Sequence, residues 1–325
     1  MKGSEESASS EKIPANQNLL TGVLDLTEGA IGKRPVAVMV NNVDPAMPQY
    51  GVGKADIIFE IPVEGDATRF MALYGDYTAV PKICAIRSCR AYFPALSEGF
   101  DAFYVNWGSD DTIGEYIASL NLDQIDGISD GSGLFGRDQA RLSAGYDLEH
   151  TGYFDGTQFA SVVQSRGLRT DIEEDKKDAA FSFYGLNEQV KPDGEDCQQV
   201  DINFGAARAT LTYDEAKKVY VKDLNGKPQI DGNTGEQLAF TNVFVLETSI
   251  TVRDEIGHKE VDWDGASDSV GYYISNGGVQ KIHWSKEEKN EQSRLKFYDQ
   301  NGKEIKINRG KSYIAVNYAD QATFQ

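Results

Sequence analysis

The stretch that decides the fold reads RPVAVMVNN (34–42), KADIIFEIPVEGDATRFMALY (54–74) and KICAIRSCRAYF (82–93). Its apolar, β-branched runs are typical of buried strands. Polar residues interrupt these runs or lie directly beside them, and unpaired charges are costly to bury. They therefore either pair with one another inside the protein or face a ligand. The residues concerned are Asn41, Asn42, Glu60, Glu64, Arg69, Arg87 and Arg90.

Hydrophobic patterning around this stretch predicts the fold class. Pro35–Val40 predicts a buried central strand, and two following runs predict a hairpin, Ala55–Val63 paired with Thr68–Tyr74. Helical spacing of apolar residues predicts helices over Thr112–Leu120 and Thr157–Arg166. The last third of the chain carries short alternating runs separated by Asn-Gly turns, which predict antiparallel strands. The predicted class is α+β: a mixed α/β N-terminal domain with a central sheet, then a mostly antiparallel β C-terminal domain.

Length and composition divide the chain into three parts. A chain of 325 residues exceeds what one core usually serves. Residues 1–20 begin with a Ser- and Glu-rich run that has few apolar side chains, which predicts a flexible tether. A polar, acidic connector follows residue 169 and places a boundary near residue 195. We therefore predict an N-terminal domain over residues 21–195 and a C-terminal β-rich domain over residues 196–325.

Charge and cysteine content exclude several classes of protein. A net charge of −19 argues against binding to nucleic acid, which requires a field of Lys and Arg. The sequence has no apolar run of the roughly 20 residues that a membrane-spanning helix needs. Three cysteines are an odd number, which argues against a disulfide framework. Cys84, Cys89 and Cys197 are therefore interpreted as buried, inert thiols.

Several motifs in combination are similar to those of one bacterial family. They include the three segments quoted above, LFGRDQARLSAGYDLEHTGYF (134–154), GYYISNGGVQKIHWSKEEK (271–289) and LKFYDQNGKEIKINRGKSYIAV (295–316). The chain resembles the YerB-like family of predicted lipoproteins, a family of unknown function. The resemblance implies a two-domain protein on the extracellular face of the cell membrane, held by a lipidated Cys that follows an export signal. No Cys precedes the tether, so we expect that signal and anchor to have been removed from this chain.

The arginines of these motifs are the strongest candidates for ligand binding. Arg presents a planar fork of donors suited to carboxylate or phosphate, and an Arg cluster in an acidic protein forms a focused anion site. Asn41 and Asn42, at the end of a central strand, suit hydrogen bonding to a sugar or amide in the crevice outside the strand ends. The alternative is that the arginines only neutralise nearby carboxylates. The candidate binding residues are Asn41, Asn42, Glu60, Glu64, Arg69, Arg87, Ser88, Arg90, Arg137, Asp138, Arg141 and His150.

Catalysis is a second hypothesis with weaker support. Glu60 and Glu64 are candidate acid/base residues, but a regular strand separates them by roughly 13 Å, which is wide for a glycosidase pair. Internal pairing of either Glu with Arg69 across the hairpin is the alternative. His150 lies beside Asp147 and Glu149, yet no nucleophile, zinc-helix, phosphate-loop or dinucleotide motif accompanies it. We predict no metal site and no cofactor.

The function that these residues favour is a non-catalytic, surface-anchored binding module with an Arg/Glu/Asn-lined cleft. Its expected ligand is an anionic or carbohydrate-like component of the cell envelope. A glycan hydrolase or transferase that uses Glu60 or Glu64 is the first alternative, and a protein-interaction scaffold is the second. Membrane contact is expected only through the implied lipid anchor.

Overall fold

The computed structural model describes residues 13–120, 122–263, 269–287, 290 and 293–325. The first half of the described chain alternates strands with short helices. Its elements are β1 (Val36–Asn42), β2 (Ile57–Pro62), β3 (Thr68–Tyr74), β4 (Lys82–Cys84), α1 (Tyr92–Glu98), β5 (Phe103–Asn106), α2 (Gly114–Ser119), β6 (Gln124–Asp126), β7 (Phe135–Arg137), α3 (Gln139–Ser143), β8 (Gly152–Asp155) and α4 (Phe159–Arg166).

The second half is built from strands. These are β9 (Glu195–Asp196), β10 (Gln199–Asn203), β11 (Arg208–Asp214), β12 (Val219–Leu224), β13 (Lys227–Pro228), β14 (Ala239–Phe240), β15 (Asn242–Glu247), β16 (Ile250–Val252), β17 (Lys259–Val261), β18 (Val270–Ser275), β19 (Gly278–Ser285), β20 (Lys296–Tyr298), β21 (Ser312–Asn317) and β22 (Ala322–Phe324). The predicted α+β class is confirmed, with strands predominating.

A large mixed sheet forms the centre of the molecule. Its strand order is β20-β19-β18-β15-β21-β2-β3-β1-β5-β6, with β9 added beside β19. The predicted hairpin is present as the antiparallel pair β2 and β3. Strand β1 runs antiparallel to β3 and parallel to β5. The carboxyl ends of β1 and β5 therefore lie at the same edge of the sheet.

Both faces of this central sheet are covered, which explains the continuous apolar run of β1. Val36, Val38 and Val40 belong to one core cluster, and Ala37 and Met39 belong to the other. A second, six-stranded sheet built around β10, β11 and β12 packs on the first side. Helix α1 covers the opposite side. A strand buried on both faces has no polar side to alternate with, so it reads as uniformly hydrophobic.

The two halves of the chain share the central sheet. Strand β21, near the C-terminus, lies between β2 and β15 and runs parallel to both. The predicted boundary near residue 195 thus separates sequence segments that contribute to one sheet. The fold also begins before the end of the predicted tether, because Asn18 and Leu20 are already buried. The first twelve residues of that tether lie outside the described residues.

Candidate functional site

Residues 85–90 cross the edge of the central sheet where β1 and β5 end. The backbone N–H of Arg87 donates to the carbonyl oxygen of Met39 at 3.0 Å, and the N–H of Trp107 donates to the Arg87 carbonyl at 3.0 Å. The N–H of Cys89 donates to the carbonyl of Gly108 at 2.8 Å. The carboxyl ends of parallel strands are where open sheets commonly bind ligands. This segment is therefore fixed at a favourable position for a binding site.

Three arginines lie close together at this edge, and two of them donate to Ser88. Arg69, at the start of β3 and paired with Asn41 of β1, donates from Nη1 to the Ser88 carbonyl oxygen at 2.6 Å. Arg90 donates from Nη1 to the Ser88 hydroxyl at 3.0 Å. Arg87 directly precedes Ser88 in the chain. We call Arg69, Arg87 and Arg90 the arginine cluster.

Arg69 is the most unusual member of the arginine cluster. It is 3% exposed, and no carboxylate of the described residues lies within 4 Å of its guanidinium. Burial, together with the positive charges of Arg90 and Arg87, lowers the pKa of Arg69 to about 10. The Nε atom of Arg87 is buried and has no acceptor among the described residues. Both features leave hydrogen-bond donors available for an anion.

Two carboxylates partly neutralise the arginine cluster. Glu64 binds Arg90 in a bidentate pair that includes a 2.9 Å bond from Nη2. Burial alone would raise the pKa of Glu64, but Arg90 outweighs it and holds that pKa below its usual value. Glu149 accepts from Arg87 at 2.7 Å, and its side chain is 56% exposed. Three guanidinium groups thus face two carboxylates, which leaves a local positive charge in an acidic protein.

His150 and Asn41 lie beside the arginine cluster, in its buried wall. Asn41 donates from Nδ2 to His150 Nδ1 at 3.0 Å, which leaves the imidazole proton on Nε2. Burial lowers the pKa of His150 even though Glu149 opposes it, so the imidazole is neutral at pH 7. Because Nδ1 is already occupied, we interpret His150 as a residue that positions the wall.

Arg137, Asp138 and Arg141 hold the neighbouring backbone instead of joining the arginine cluster. Arg137 stacks on Trp107 and donates to the Leu148 carbonyl at 2.7 Å. Asp138 caps α3 and pairs with Lys82 at 2.8 Å. Arg141 is buried and donates to the carbonyls of Ala46 and His150 at 2.9 and 3.0 Å. Arg137 and Arg141 thus fix the turn at residues 148–150, which carries Glu149 to Arg87.

Glu60 and Asn42 lie away from the arginine cluster, in the interior between the two large sheets. Glu60 is 0% exposed, and its carboxylate is surrounded by polar partners from the protein itself. Those partners are Asn42, Thr68, Tyr313 and Lys222. Glu60 therefore pairs internally, as the alternative to catalysis proposed, but its cation is Lys222 of β12 and not Arg69. The ammonium Nζ of Lys222 lies 3.3 Å from Glu60 Oε2 and donates to Gln229 at 2.7 Å.

Sequence reasoning missed Lys222, although its strand carries a signal. In β12 the buried positions alternate, and Lys222 shares the inward face with Tyr220 and Leu224. A lysine on the apolar face of an alternating strand indicates a buried counter-ion. Its position on this face does not indicate which carboxylate it meets.

Comparison with known proteins agrees with the motifs. Residues 20–169 match the N-terminal domain of the protein family of unknown function DUF3048, and residues 200–314 match its C-terminal domain. The chain belongs to the DUF3048 family. It is 29% identical to "Putative lipoprotein YerB" of Bacillus subtilis (strain 168) over 270 residues, which are 82% of this chain and 76% of that relative. The expected YerB-like family is thereby confirmed.

The fold of this DUF3048 chain is also that of YerB. A crystal structure of the YerB protein from Bacillus subtilis matches with a TM-score of 0.77 and 26% identity. The match covers 94% of this chain and 98% of the other. None of the helices in the described part of this chain combines the length and hydropathy that a bilayer crossing requires.

A cavity of about 480 Å³ adjoins the arginine cluster, and the sequence did not reveal it. Its walls come from α1, from α2 and the residues before it, from the β16–β17 hairpin with the residues after it, and from the segment that follows β19, so they are assembled from residues far apart in the chain. Aromatic and small apolar side chains form much of the lining, and several carboxylates lie among them. The lining includes Ala91, Tyr92, Ile113, Tyr116, Glu260 and Trp263.

Asp110, Asp254 and His258 bring three metal-ligand atoms within 4.8 Å of one another near this cavity. The guanidinium of Arg253, however, already binds Asp110 Oδ2. Asp254 Oδ2 bonds His258 Nδ1 at 2.6 Å, and its other oxygen accepts backbone N–H groups. The three residues and Arg253 therefore form an internally paired network, and we assign no metal to it.

Proposed function

We propose that this protein is a non-catalytic binding module of the bacterial cell envelope, in which the arginine cluster receives the anionic group of an envelope ligand. The observation that carries the proposal is the guanidinium of Arg69. It is buried, it has no carboxylate partner among the described residues, and two further arginines adjoin it. A buried cation is costly unless a counter-charge compensates it, and an anionic ligand would supply that charge.

The partners of the other two arginines support the same proposal. Among the described residues, the only ion pair of Arg87 is with Glu149, which is largely exposed, and exposed pairs contribute about 0 to 1 kcal/mol. A carboxylate or phosphate that enters the site can therefore displace Glu149 at little cost. Arg90 is oriented by its bidentate pair with Glu64, and its Nη1 donates to the Ser88 hydroxyl at 3.0 Å and to the Cys89 carbonyl at 2.7 Å.

The surface location belongs to the proposal as well. The relative YerB is described as a lipoprotein, and we extend this to an extracellular, lipid-anchored position for the full protein. The hydrolase alternative draws no support from Glu60, because that carboxylate is buried and already bound by four partners from the protein. Glu64 is engaged by Arg90.

A titration by thermal unfolding tests the proposal. Phosphate and citrate are added to the purified chain at constant ionic strength, because any ligand that binds only the native state raises its melting temperature. We expect both anions to raise it, with about 2.7 kcal/mol of stabilisation when the anion reaches a hundredfold excess over its Kd. Arg87→Ala should abolish the shift, since it removes donors from the site but no buried ion pair.

Arg208→Ala is the matched control, because Arg208 is an exposed arginine on β11 that pairs weakly with Asp201 at 3.4 Å. It should leave the anion-dependent shift unchanged. A wild-type protein that no anion stabilises would contradict the proposal and favour the scaffold alternative. An equal shift in wild type and Arg87→Ala would also contradict it, because the anion would then bind elsewhere.

A further inference from the structure

The residues that directly follow the arginine cluster in the chain line the cavity beside it. Arg90 is followed in the chain by Ala91 and Tyr92, and both line the cavity. The hydroxyl of Tyr92 donates to the Pro62 carbonyl at 2.6 Å, at the end of the strand that leads to Glu64. Tyr92 thus borders both the arginine cluster and the cavity.

A second wall of the cavity also starts at the cluster. Cys89 forms a β-bridge with Ser109, which places the following residues beside the arginine segment. Asp110, next in the chain, binds Arg253, and Arg253 lines the cavity. The cavity of about 480 Å³ is therefore a close neighbour of Arg90, whose guanidinium interacts electrostatically with both Tyr92 and Asp110. Cavities of about 300 to 1,000 Å³ are the usual size for small-molecule ligands.

The cavity lining differs in chemistry from the arginine cluster. Tyr92, Tyr116 and Trp263 provide flat, amphipathic side chains suited to packing against a ring. Glu260 is exposed at its edge, and no cation of the described residues pairs with it within 4 Å. The Thr112 hydroxyl also lies in the lining, but it already donates to Asp110 at 2.7 Å and accepts from Arg253 at 2.8 Å. The lining also holds two cations, but Arg253 binds Asp110 and Lys286 donates to the carbonyl oxygens of Asn290 and Ser293. Glu260 can therefore accept hydrogen bonds from hydroxyl groups, and it disfavours a second anionic group beside it.

We infer that the ligand is an acidic sugar: its carboxylate or phosphate binds the arginine cluster, and its neutral, hydroxyl-bearing ring occupies the cavity. This inference rests on the proposed function, because it places the anion at the same arginines. It adds a second contact region, the aromatic and carboxylate lining of the cavity. A ligand that is anionic at both ends, such as a sugar bisphosphate, would place its second anionic group beside Glu260, which is unfavourable.

Calorimetric titration of the full chain with three probes tests the anion site and the sugar inference separately. D-glucuronate carries both the carboxylate and the ring, acetate carries only the carboxylate, and D-glucose carries only the ring. We expect D-glucuronate to bind at least about tenfold more tightly than acetate, which corresponds to about 1.4 kcal/mol. Glucose should bind more weakly than D-glucuronate, since it lacks the group that the arginines recognise.

Two variants locate the ring. Glu260→Ala removes a hydrogen-bond acceptor from an exposed strand position, and we expect it to weaken D-glucuronate binding about tenfold without affecting acetate. Glu255→Ala is its control, because Glu255 is exposed on the same hairpin and does not line the cavity. Arg87→Ala should weaken both acidic probes.

The outcomes distinguish the two claims. Equal affinity for acetate and D-glucuronate, or an undiminished D-glucuronate affinity in Glu260→Ala, would overturn the sugar inference while the anion site stands. Absence of binding by all three probes, together with no stabilisation by phosphate or citrate, would overturn the proposed function and the inference together.

Discussion

Lys222→Met is the substitution whose effect the structure defines most sharply. Lys222 is 0% exposed on β12 of the six-stranded sheet, and its counter-ion Glu60 is 0% exposed on β2 of the central sheet. The pair therefore connects the two large sheets through the core between them. Replacing Lys222 by Met preserves much of the side-chain volume but leaves the Glu60 carboxylate buried without a cation.

The expected cost follows from what remains around Glu60. Its Oε1 atom keeps the donors from Asn42 and Thr68, at 2.8 and 2.7 Å, and Oε2 keeps the Tyr313 hydroxyl at 2.6 Å. These hydrogen bonds reduce the penalty of the uncompensated charge but do not remove it. Breaking a buried ion pair from one side usually costs about 3 to 5 kcal/mol. The three remaining donors place Lys222→Met near the lower end, at about 3 kcal/mol.

Urea unfolding at pH 7, followed by tryptophan fluorescence, measures this cost. Lys217→Met is the matched control, because Lys217 is 73% exposed and pairs with Asp214 at the surface, where such pairs contribute about 0 to 1 kcal/mol. The double variant Glu60→Gln with Lys222→Met removes both charges and should recover part of the loss. A loss below about 1 kcal/mol for Lys222→Met would refute the reasoning, since a buried carboxylate would then tolerate the absence of its cation.

Three further predictions concern titration, thiol chemistry and packing. Burial raises the pKa of Asp56 to about 6, although the hydrogen bond from the Gly75 N–H opposes this rise. The folded state therefore disfavours the charged carboxylate, and the protein loses stability as the pH rises from about 4 to 6. Asp56→Asn should therefore gain about 3 kcal/mol relative to wild type at pH 8 and nothing at pH 4, as measured by urea unfolding across pH; a pH-independent difference would contradict this. Burial raises the pKa values of the three buried thiols, Cys84, Cys89 and Cys197, to about 11 or 12, so they should react with a thiol reagent only after unfolding. Rapid labelling of the native protein would show that at least one of these thiols is accessible. Gly156→Ala should lower the free energy of unfolding by about 1 to 3 kcal/mol, because the new Cβ would clash with the Pro81 carbonyl oxygen. Gly114→Ala, where the Cβ meets nothing within 4 Å, is the control, and equal stability of the two variants would show that the Pro81 region relaxes.

The local part of the fold was predictable from the sequence. The run Val36–Val40 is apolar at every position because β1 is covered on both faces, and a fully buried strand needs no polar side. The hairpin of β2 and β3 followed from two runs that are joined by a short turn containing Gly65. That glycine adopts a positive φ of 62°, which glycine tolerates without steric cost. These features depend on residues that are close together in the sequence, so local sequence patterns are enough to predict them.

The long-range part was not predictable, because no local pattern specifies a distant partner. Strand β21 reads as an ordinary apolar strand, yet it lies between β2 and β15 and joins both halves of the chain in one sheet. Glu60 is likewise identifiable as a charge inside an apolar run. Its cation, Lys222, lies 162 positions later in the chain, and the turn signal after Glu60 favoured Arg69 instead. The cavity has the same origin, since its walls come from separate elements.

The two charged residues of the β2–β3 hairpin, Glu60 and Arg69, show how burial and pairing together separate a structural charge from a candidate functional one. Both are almost fully buried, and the sequence alone does not distinguish them, because each is a charged residue inside an apolar run. Glu60 has a cation and three further hydrogen-bond donors, so its charge is compensated within the protein. Arg69 has a carbonyl acceptor and two like-charged neighbours. Glu64 attracts Arg69 electrostatically but is paired with Arg90, and no carboxylate of the described residues lies within 4 Å of the Arg69 guanidinium. Because incompletely compensated burial lowers stability, we propose that a ligand's anion completes the pairing of this arginine.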